Sequence, residues 1–410
     1  MSDPVSAAPP SLMQHRAFAL FWCARTATTG AYQMQAVAIG WQIYELTGSA
    51  FDLGLVGLVQ FIPVVLMTPL VGQAADQFDR RAVARTCQIV KALAAAALAL
   101  GTFSGWLGRD AILAILFLTG SARAFETPTM HTLVPALVPP RLLPRAIAAS
   151  ATANQTAIIC GPALGGLIYA FGPTTVYAVC TATFAAASVL VSLLPAMPRS
   201  RDRKPVSLAT LFAGFAYVRE QPVLLGAISL DLFAVLLGGV TALLPIYARD
   251  ILKTGAWGLG LLRSAPAVGA LAISVFLARH GFERRTGAVL FASVAVFGLS
   301  IVVFALSTSL LLSIGALAIY GAADTLSVVI RQTLVQMRTP NDMLGRVMAV
   351  NSMATGTSGT LGEFRAGAVA AAFGAVPSVL IGGIGAIVVA LLWMRLFPAL
   401  TRIHSLQPSG

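Results

Sequence analysis

The chain has 410 residues, of which 57% are hydrophobic and only 10% charged, and its 27 Lys and Arg outnumber 15 Asp and Glu to give a net charge of +12. A soluble domain is about one quarter charged, so a water-soluble protein is excluded. The positive excess would suit nucleic acid, but no basic stripe is interleaved with aromatics, and no nucleic-acid partner is expected.

Apolar runs long enough to cross a hydrocarbon core of about 30 Å recur from end to end. They predict twelve spans: 17–41, 51–73, 84–107, 111–134, 145–170, 173–195, 223–247, 257–279, 287–306, 309–335, 345–372 and 376–397. The fold expected is all-α and polytopic, with an N-terminal six-helix bundle over 1–194, a linker over 195–221, and a C-terminal bundle with a short tail over 222–410. Eighteen of the 27 basic residues fall on the side of the two termini, against Arg109, Arg249 and Lys253 on the other. The positive-inside rule then places both termini in the cytoplasm of a multi-pass protein of the cell (inner) membrane.

In chain order, the first span carries Trp22, Arg25, Tyr32 and Gln33, a mixture of aromatic, cationic and amide groups. Between the second and third stands Gly72-Gln-Ala-Ala-Asp76-Gln-Phe-Asp79-Arg80-Arg81. The third span holds Lys91, which is expected off any central cavity. The fourth holds Arg123, Phe125 and Glu126; Arg123 and Glu126, three residues apart, can pair on their own helix face. In the fifth, Gly161-Pro162 precedes Gly165-Gly166. Proline removes a backbone hydrogen bond, and bare glycine backbone admits a neighbouring helix. Prolines 195, 198 and 205 mark the one sizeable polar break. A helix over 207–219 follows, read either as an amphipathic helix on the membrane surface or as a plain linker. The seventh span contributes Asp231 and Phe233, the eighth Arg263, placed off the cavity, and the tenth Asp324 and Arg331. Arg331 is close enough to the cytoplasmic end to snorkel there. Glu363 and Arg365 sit beside a glycine row in the eleventh and are expected to tie it to the fifth.

A shift of 201 residues lays Thr132-Leu133-Val134 on Thr333-Leu334-Val335, Pro139 on Pro340, Arg145 on Arg346, Gly161 on Gly362 and Gly166 on Gly367. A shift of 203 lays Gly57 on Gly260 and Pro63 on Pro266. The chain is therefore two copies of one half, as in secondary transporters whose halves rock about a central site. The repeat also sets Arg123 against Asp324, opposite charges at equivalent positions.

Two motifs carry a family resemblance. The Gly72, Asp76, Arg80 and Arg81 loop resembles the cytoplasmic signature of the major facilitator superfamily, departing from it at Gln77 and Asp79. The Gly161, Pro162, Gly165 and Gly166 stretch is similar to that superfamily's antiporter motif. Ala124-Phe-Glu-Thr-Pro128, Leu243-Leu-Pro245 and Gly362-Glu363-Phe-Arg365-Ala-Gly367 resemble the enterobactin-exporter-like branch. The resemblance implies the major facilitator fold, with spans one, four, seven and ten around the cavity. It also implies a latch at the Asp76 loop and export of drug- or siderophore-like molecules against protons.

Ionisable groups within spans are costly and mark candidate function. Asp231, Glu126 and Asp324 are the proton-coupling candidates, Asp231 foremost; Arg25, Arg123 and Arg331 are their charge partners. Each such pair is equally readable as a permanent structural salt bridge. Trp22, Tyr32, Gln33, Phe125 and Phe233 are candidates for lining a cavity that takes an amphiphilic small molecule. No metal, cofactor or catalytic motif is present, so the chain is expected not to be an enzyme. An uncoupled carrier or flippase of a lipid or metabolite is the alternative, and a monomer in the lipid bilayer is the expected state.

Overall fold

The computed structural model describes residues 12–195, 208–280 and 286–403, except the side chains of 68–77, 131, 208–212 and 341. The N-terminal half consists of α1 (Arg16–Thr47), α2 (Ala50–Gln77), α3 (Arg80–Phe103), α4 (Arg109–Leu137), α5 (Leu143–Ile168) and α6 (Pro173–Ser192). The linker helix is α7 (Leu208–Glu220). The C-terminal half follows as α8 (Pro222–Leu237), α9 (Leu244–Ile246), α10 (Gly255–His280), α11 (Thr286–Leu306), α12 (Leu310–Arg338), α13 (Asn341–Phe373), α14 (Ala375–Leu396) and α15 (Pro398–Thr401). Among the described residues every regular element is helical.

Local chemistry sets the ends. Gly48, at φ 61°, turns the chain out of α1 while its N–H bonds the Tyr44 carbonyl, the left-handed cap that glycine adopts without strain. Asp79 accepts a hydrogen bond from the Arg81 N–H at 3.0 Å and so caps α3. The aspartate that departs from the family signature thus starts a helix.

The sequence repeat reappears in the backbone. Pro139 and Pro340 both stand at φ −57° with ψ 148° and 149°, each leading into the next helix. Gly172 and Gly374 take φ 98° and 93° between the last two long helices of their halves. Close helix crossings repeat as well: a Cβ at Gly166 of α5 would lie 3.1 Å from Cα of Gly260 in α10, and one at Gly367 of α13 would lie 2.7 Å from Cα of Gly54 in α2. Only glycine permits such approach.

Eight helical segments are long and apolar enough to cross a membrane. The helices α1, α4, α5 and α13 are not among them, although they run 32, 29, 26 and 33 residues. Their polar side chains lower their apolarity, and it is these helices that supply much of the central cavity.

The seventh span, expected unbroken over 223–247, is interrupted after Leu237. A Cβ at Gly239 would fall 2.2 Å from the Gly362 carbonyl carbon, so α13 presses on the chain where α8 stops. Arg365 of α13 donates to the freed carbonyls of Leu236, from Nε at 3.1 Å, and of Leu237, from Nη2 at 2.5 Å. Arg365 therefore ties the eleventh span to the seventh, correcting its expected tie to the fifth. The linker helix docks on the C-terminal half, where Val218 is buried with Leu224, Ile228, Val335 and Val347.

Packing differs between the two ends of the bundle. At the end away from the termini, one core runs through both halves, including Trp41, Tyr177, Phe184, Tyr247, Leu262 and Phe304. At the end bearing the termini the cores are separate: Phe18, Phe21, Leu133 and Val191 in one half, Leu230, Phe291, Leu334 and Val389 in the other. The halves are joined at one end and parted at the other.

Candidate functional site

A cavity of about 730 Å³ lies where the shared core stops. Its walls include Tyr32 and Gln33 of α1, Gln60 and Phe61 of α2, Arg123 and Thr127 of α4, Pro162 of α5, Thr241 beyond the break in α8, Arg263 of α10 and Glu363 of α13. A second space of about 320 Å³ shares Tyr32, Gln33, Arg123 and Thr127 and continues past Arg25, Lys91, Glu126 and Asn154 toward the parted end.

Two bonded networks stand on the walls. In one, buried Lys91 of α3 forms an ion pair with buried Glu126 of α4. Gln88 donates to the same carboxylate and to the Thr28 hydroxyl at 2.8 Å. In the other, the Arg123 guanidinium donates to the Tyr32 hydroxyl at 2.6 Å and lies 4.7 Å from the centre of its ring. That hydroxyl donates onward to Oε1 of Gln60 at 2.9 Å. Buried charges of this kind need both a partner and hydrogen bonds to survive desolvation.

The seam between the halves is polar at the glycine crossing and again at its outer edge. Ser264 donates to the Ile159 carbonyl at 2.6 Å and Gln155 to that of Ala267 at 3.3 Å, linking α5 and α10 near their midpoints. Farther out, Phe51 meets Phe364 edge-on at 5.7 Å, and the Tyr44 hydroxyl donates to Asp250. Toward the terminal end, no hydrogen bond among the described residues joins the two helical halves. The cavity is thus closed on one side and reached from the other.

The family model described as transmembrane secretion effector matches residues 6–408. The chain belongs to that family of the major facilitator superfamily. It is a membrane transporter and not an enzyme. It is 27% identical over 406 residues to the enterobactin exporter EntS of Citrobacter koseri, covering 97% of this chain and 95% of that one. It is 25% identical, with the same coverage, to EntS of Escherichia coli O139:H28. Among solved structures it resembles a D323A mutant of the nucleoside transporter NupG (TM-score 0.75, 16% identity, 93% of this chain and 100% of the other). It also resembles a bacterial homologue of the iron transporter ferroportin in an inward-facing state (TM-score 0.71, 17% identity, 96% and 100%). Those structural likenesses concern the fold.

Within this family fold, several residues fall elsewhere than the sequence suggests. Lys91, expected off the cavity, borders its smaller part and takes Glu126 as partner, because α3 and α4 face one another there. Glu126 is thereby drawn away from Arg123, its expected neighbour on the same helix. Arg263, also expected off the cavity, lines it. Arg331, expected to snorkel, is 1% exposed and lies 3.0 Å from Asp231, also donating to Asn351 and, at 3.1 Å, to Thr355. Asp324 is half-buried beside this pair and does not meet Arg123.

The aromatic candidates divide. Tyr32 and Gln33 line the cavity, and Trp22, Phe125 and Phe233 do not. Trp22 turns its indole N–H to the Ala149 carbonyl at 3.1 Å. Phe125, two residues from both Arg123 and Thr127, falls on the opposite face of α4. Phe233 stands in the same relation to Asp231 and packs at a tilt against Trp393 with centroids 5.2 Å apart.

The glycines of the fifth span serve two partners: a Cβ at Gly161 or Gly165 would meet Gln33 or Met34 of α1, and one at Gly166 would meet Ala256 of α10. Gly72 and Asp76 lie in the last turns of α2, where the side chains are outside the described residues. Arg80 donates to the Thr132 carbonyl at 3.4 Å and Arg81 to that of Ser192, so both bind within their own half. Glu363, which the sequence assigned to packing of the eleventh span, also belongs to the site, its carboxylate standing against Gly57 across the seam. Its signal was present: an acid one residue from a glycine, at the position the repeat equates with Pro162 of the fifth span.

Proposed function

We propose that this transporter exports an amphiphilic small molecule from the cytoplasm in exchange for protons, as a monomer in the cell inner membrane with both termini cytoplasmic. One observation carries the reading: a cavity of about 730 Å³ whose walls mix apolar side chains with charged and hydrogen-bonding ones, sealed at one end by a core common to both halves and open where the cores part. A volume of this size suits a small molecule. Rocking the halves about the glycine crossings would close the open end and part the sealed one.

The coupling proton resides on a carboxylate that changes its cation contacts as the halves move. Glu126 borders the cavity and holds Lys91, so water from the open end reaches it; Asp231 is enclosed with Arg331 and requires the opposite state. The latch implied by the Asp76 loop would act at the parted end, and the antiporter motif of α5 at the crossing with α10. Export by the enterobactin exporters that this chain resembles supports the direction of transport.

The test is flux in proteoliposomes with an imposed pH gradient, screened over siderophores, dyes and lysolipids. Uphill movement abolished by an uncoupler supports antiport, and flux indifferent to the gradient replaces it with an uncoupled carrier. Glu126→Gln and Asp231→Asn then locate the proton: the acid whose neutralisation leaves gradient-driven flux intact is removed from the mechanism.

A further inference from the structure

The cavity carries more positive than negative charge. Its ionisable wall residues are Arg25, Lys91, Arg123 and Arg263 against Glu126 and Glu363, four cations facing two carboxylates. Lys91 is matched by Glu126 in direct contact; Glu363 lies near both Arg263 and Arg123, and Glu126 near Arg25, without touching any of these arginines. Among the described residues, no carboxylate lies within 4.0 Å of the Arg25 or Arg123 guanidinium. Arg123 is held by a neutral partner, the Tyr32 hydroxyl, and its side chain is exposed to the cavity.

An arginine at membrane depth is costly unless something offsets its charge. Guanidinium groups present planar, paired N–H donors that match the oxygens of an oxyanion. Around these two arginines the walls supply further neutral hydrogen-bonding groups, Gln33, Asn154 and Thr127, and apolar surface from Phe61 and Ile158.

We propose that the cargo is an anionic amphiphile, whose carboxylate docks on Arg123 and Arg25 while its aromatic or aliphatic body lies toward Tyr32 and Phe61. This rests on the transporter reading above and narrows it to a charge class. Tyr32 then has two tasks, holding the Arg123 plane and offering a ring face. A cationic drug meets repulsion at the same place.

Three dansyl probes sharing one ring test this on the purified full chain: dansylglycine, its methyl ester and the amine dansylcadaverine. Binding followed by dansyl fluorescence should favour the carboxylate by about tenfold or more over both others. Arg123→Gln should abolish that preference, with its folding read separately from thermal unfolding of the purified variant; Arg123→Lys should retain part of it. Equal or tighter binding of the amine or the ester, or a preference surviving both Arg123→Gln and Arg25→Gln, overturns the proposal. Failure here is separable from failure of the exporter reading. Gradient-driven dansylglycine flux without a charge preference sinks only the anion site, and a preference without gradient-driven flux sinks only the proton-coupled exporter.

Discussion

In the N-terminal half the buried pair Lys91–Glu126 borders the cavity, next to Arg25 and Arg123. In the C-terminal half the pair Asp231–Arg331 is 3% and 1% exposed, backed by Asn351 and Thr355, and lines neither of the two large cavities. The backbones of the halves repeat down to the angles at Pro139 and Pro340, yet their charges do different things. Duplication fixes where helices cross; it leaves each half free to place its ionisable groups. One half sets its bonded ion pair on the cavity wall; the other encloses its pair in a scaffold and gives the cavity Arg263 and Glu363 instead.

The largest effect should come from breaking the enclosed pair. Arg331→Ala leaves Asp231 buried without its cation, at a cost of about 3–5 kcal/mol. Thermal unfolding in detergent should show it as a marked loss of stability. Lys91→Ala strands Glu126 on a wall that water can reach, so about 1.5–3 kcal/mol is expected. Equal losses for the two variants would erase the distinction between a locked half and an open one.

Next in size are the glycine crossings. A Cβ at Gly166 would stand 2.5 Å from the Ala256 carbonyl oxygen, whereas Gly356 has nothing within 4 Å. Gly166→Ala should cost about 1–3 kcal/mol by forcing α5 from α10. Gly356→Ala, inside α13 with space for the methyl group, should raise stability by about 0.5–1 kcal/mol. Cross-linking of Tyr44→Cys with Asp250→Cys reports the sealed end directly: its yield should fall in the Gly166 variant and persist in the Gly356 one.

The seal itself was legible from the sequence in part. The 201-residue shift pairs Gly166 with Gly367, and both prove to be crossing points, because close backbone approach demands glycine whatever the partner. The all-helical fold was legible for a similar reason, since hydrocarbon allows few other ways to satisfy the backbone. The break after Leu237 was not, because it depends on pressure from α13, more than a hundred residues away. Nor were the ion pairs. Arg123 and Glu126 look like partners by spacing, but α3 brings Lys91 to the acid and α1 brings Tyr32 to the arginine. Periodicity says which face a residue shares with its neighbours in sequence; it does not say what another helix presents to that face.

The smallest expected effect bears on the same lesson. Tyr32→Phe keeps the ring but removes the hydroxyl that receives Arg123 and reaches Gln60. One hydrogen bond to a charged donor is worth about 1.5–3 kcal/mol at most, and water in an open cavity replaces much of it. A threefold to tenfold loss of dansylglycine affinity is therefore expected, roughly 0.7–1.4 kcal/mol. Phe233→Ala removes far more surface, yet Phe233 is 40% exposed and packs on Trp393 outside the cavity. It should leave probe affinity unchanged. If the distant phenylalanine mattered more to binding than the single oxygen on Tyr32, the cargo would be following the outer face of α8, and the wall built by α1 and α4 would not be the binding surface.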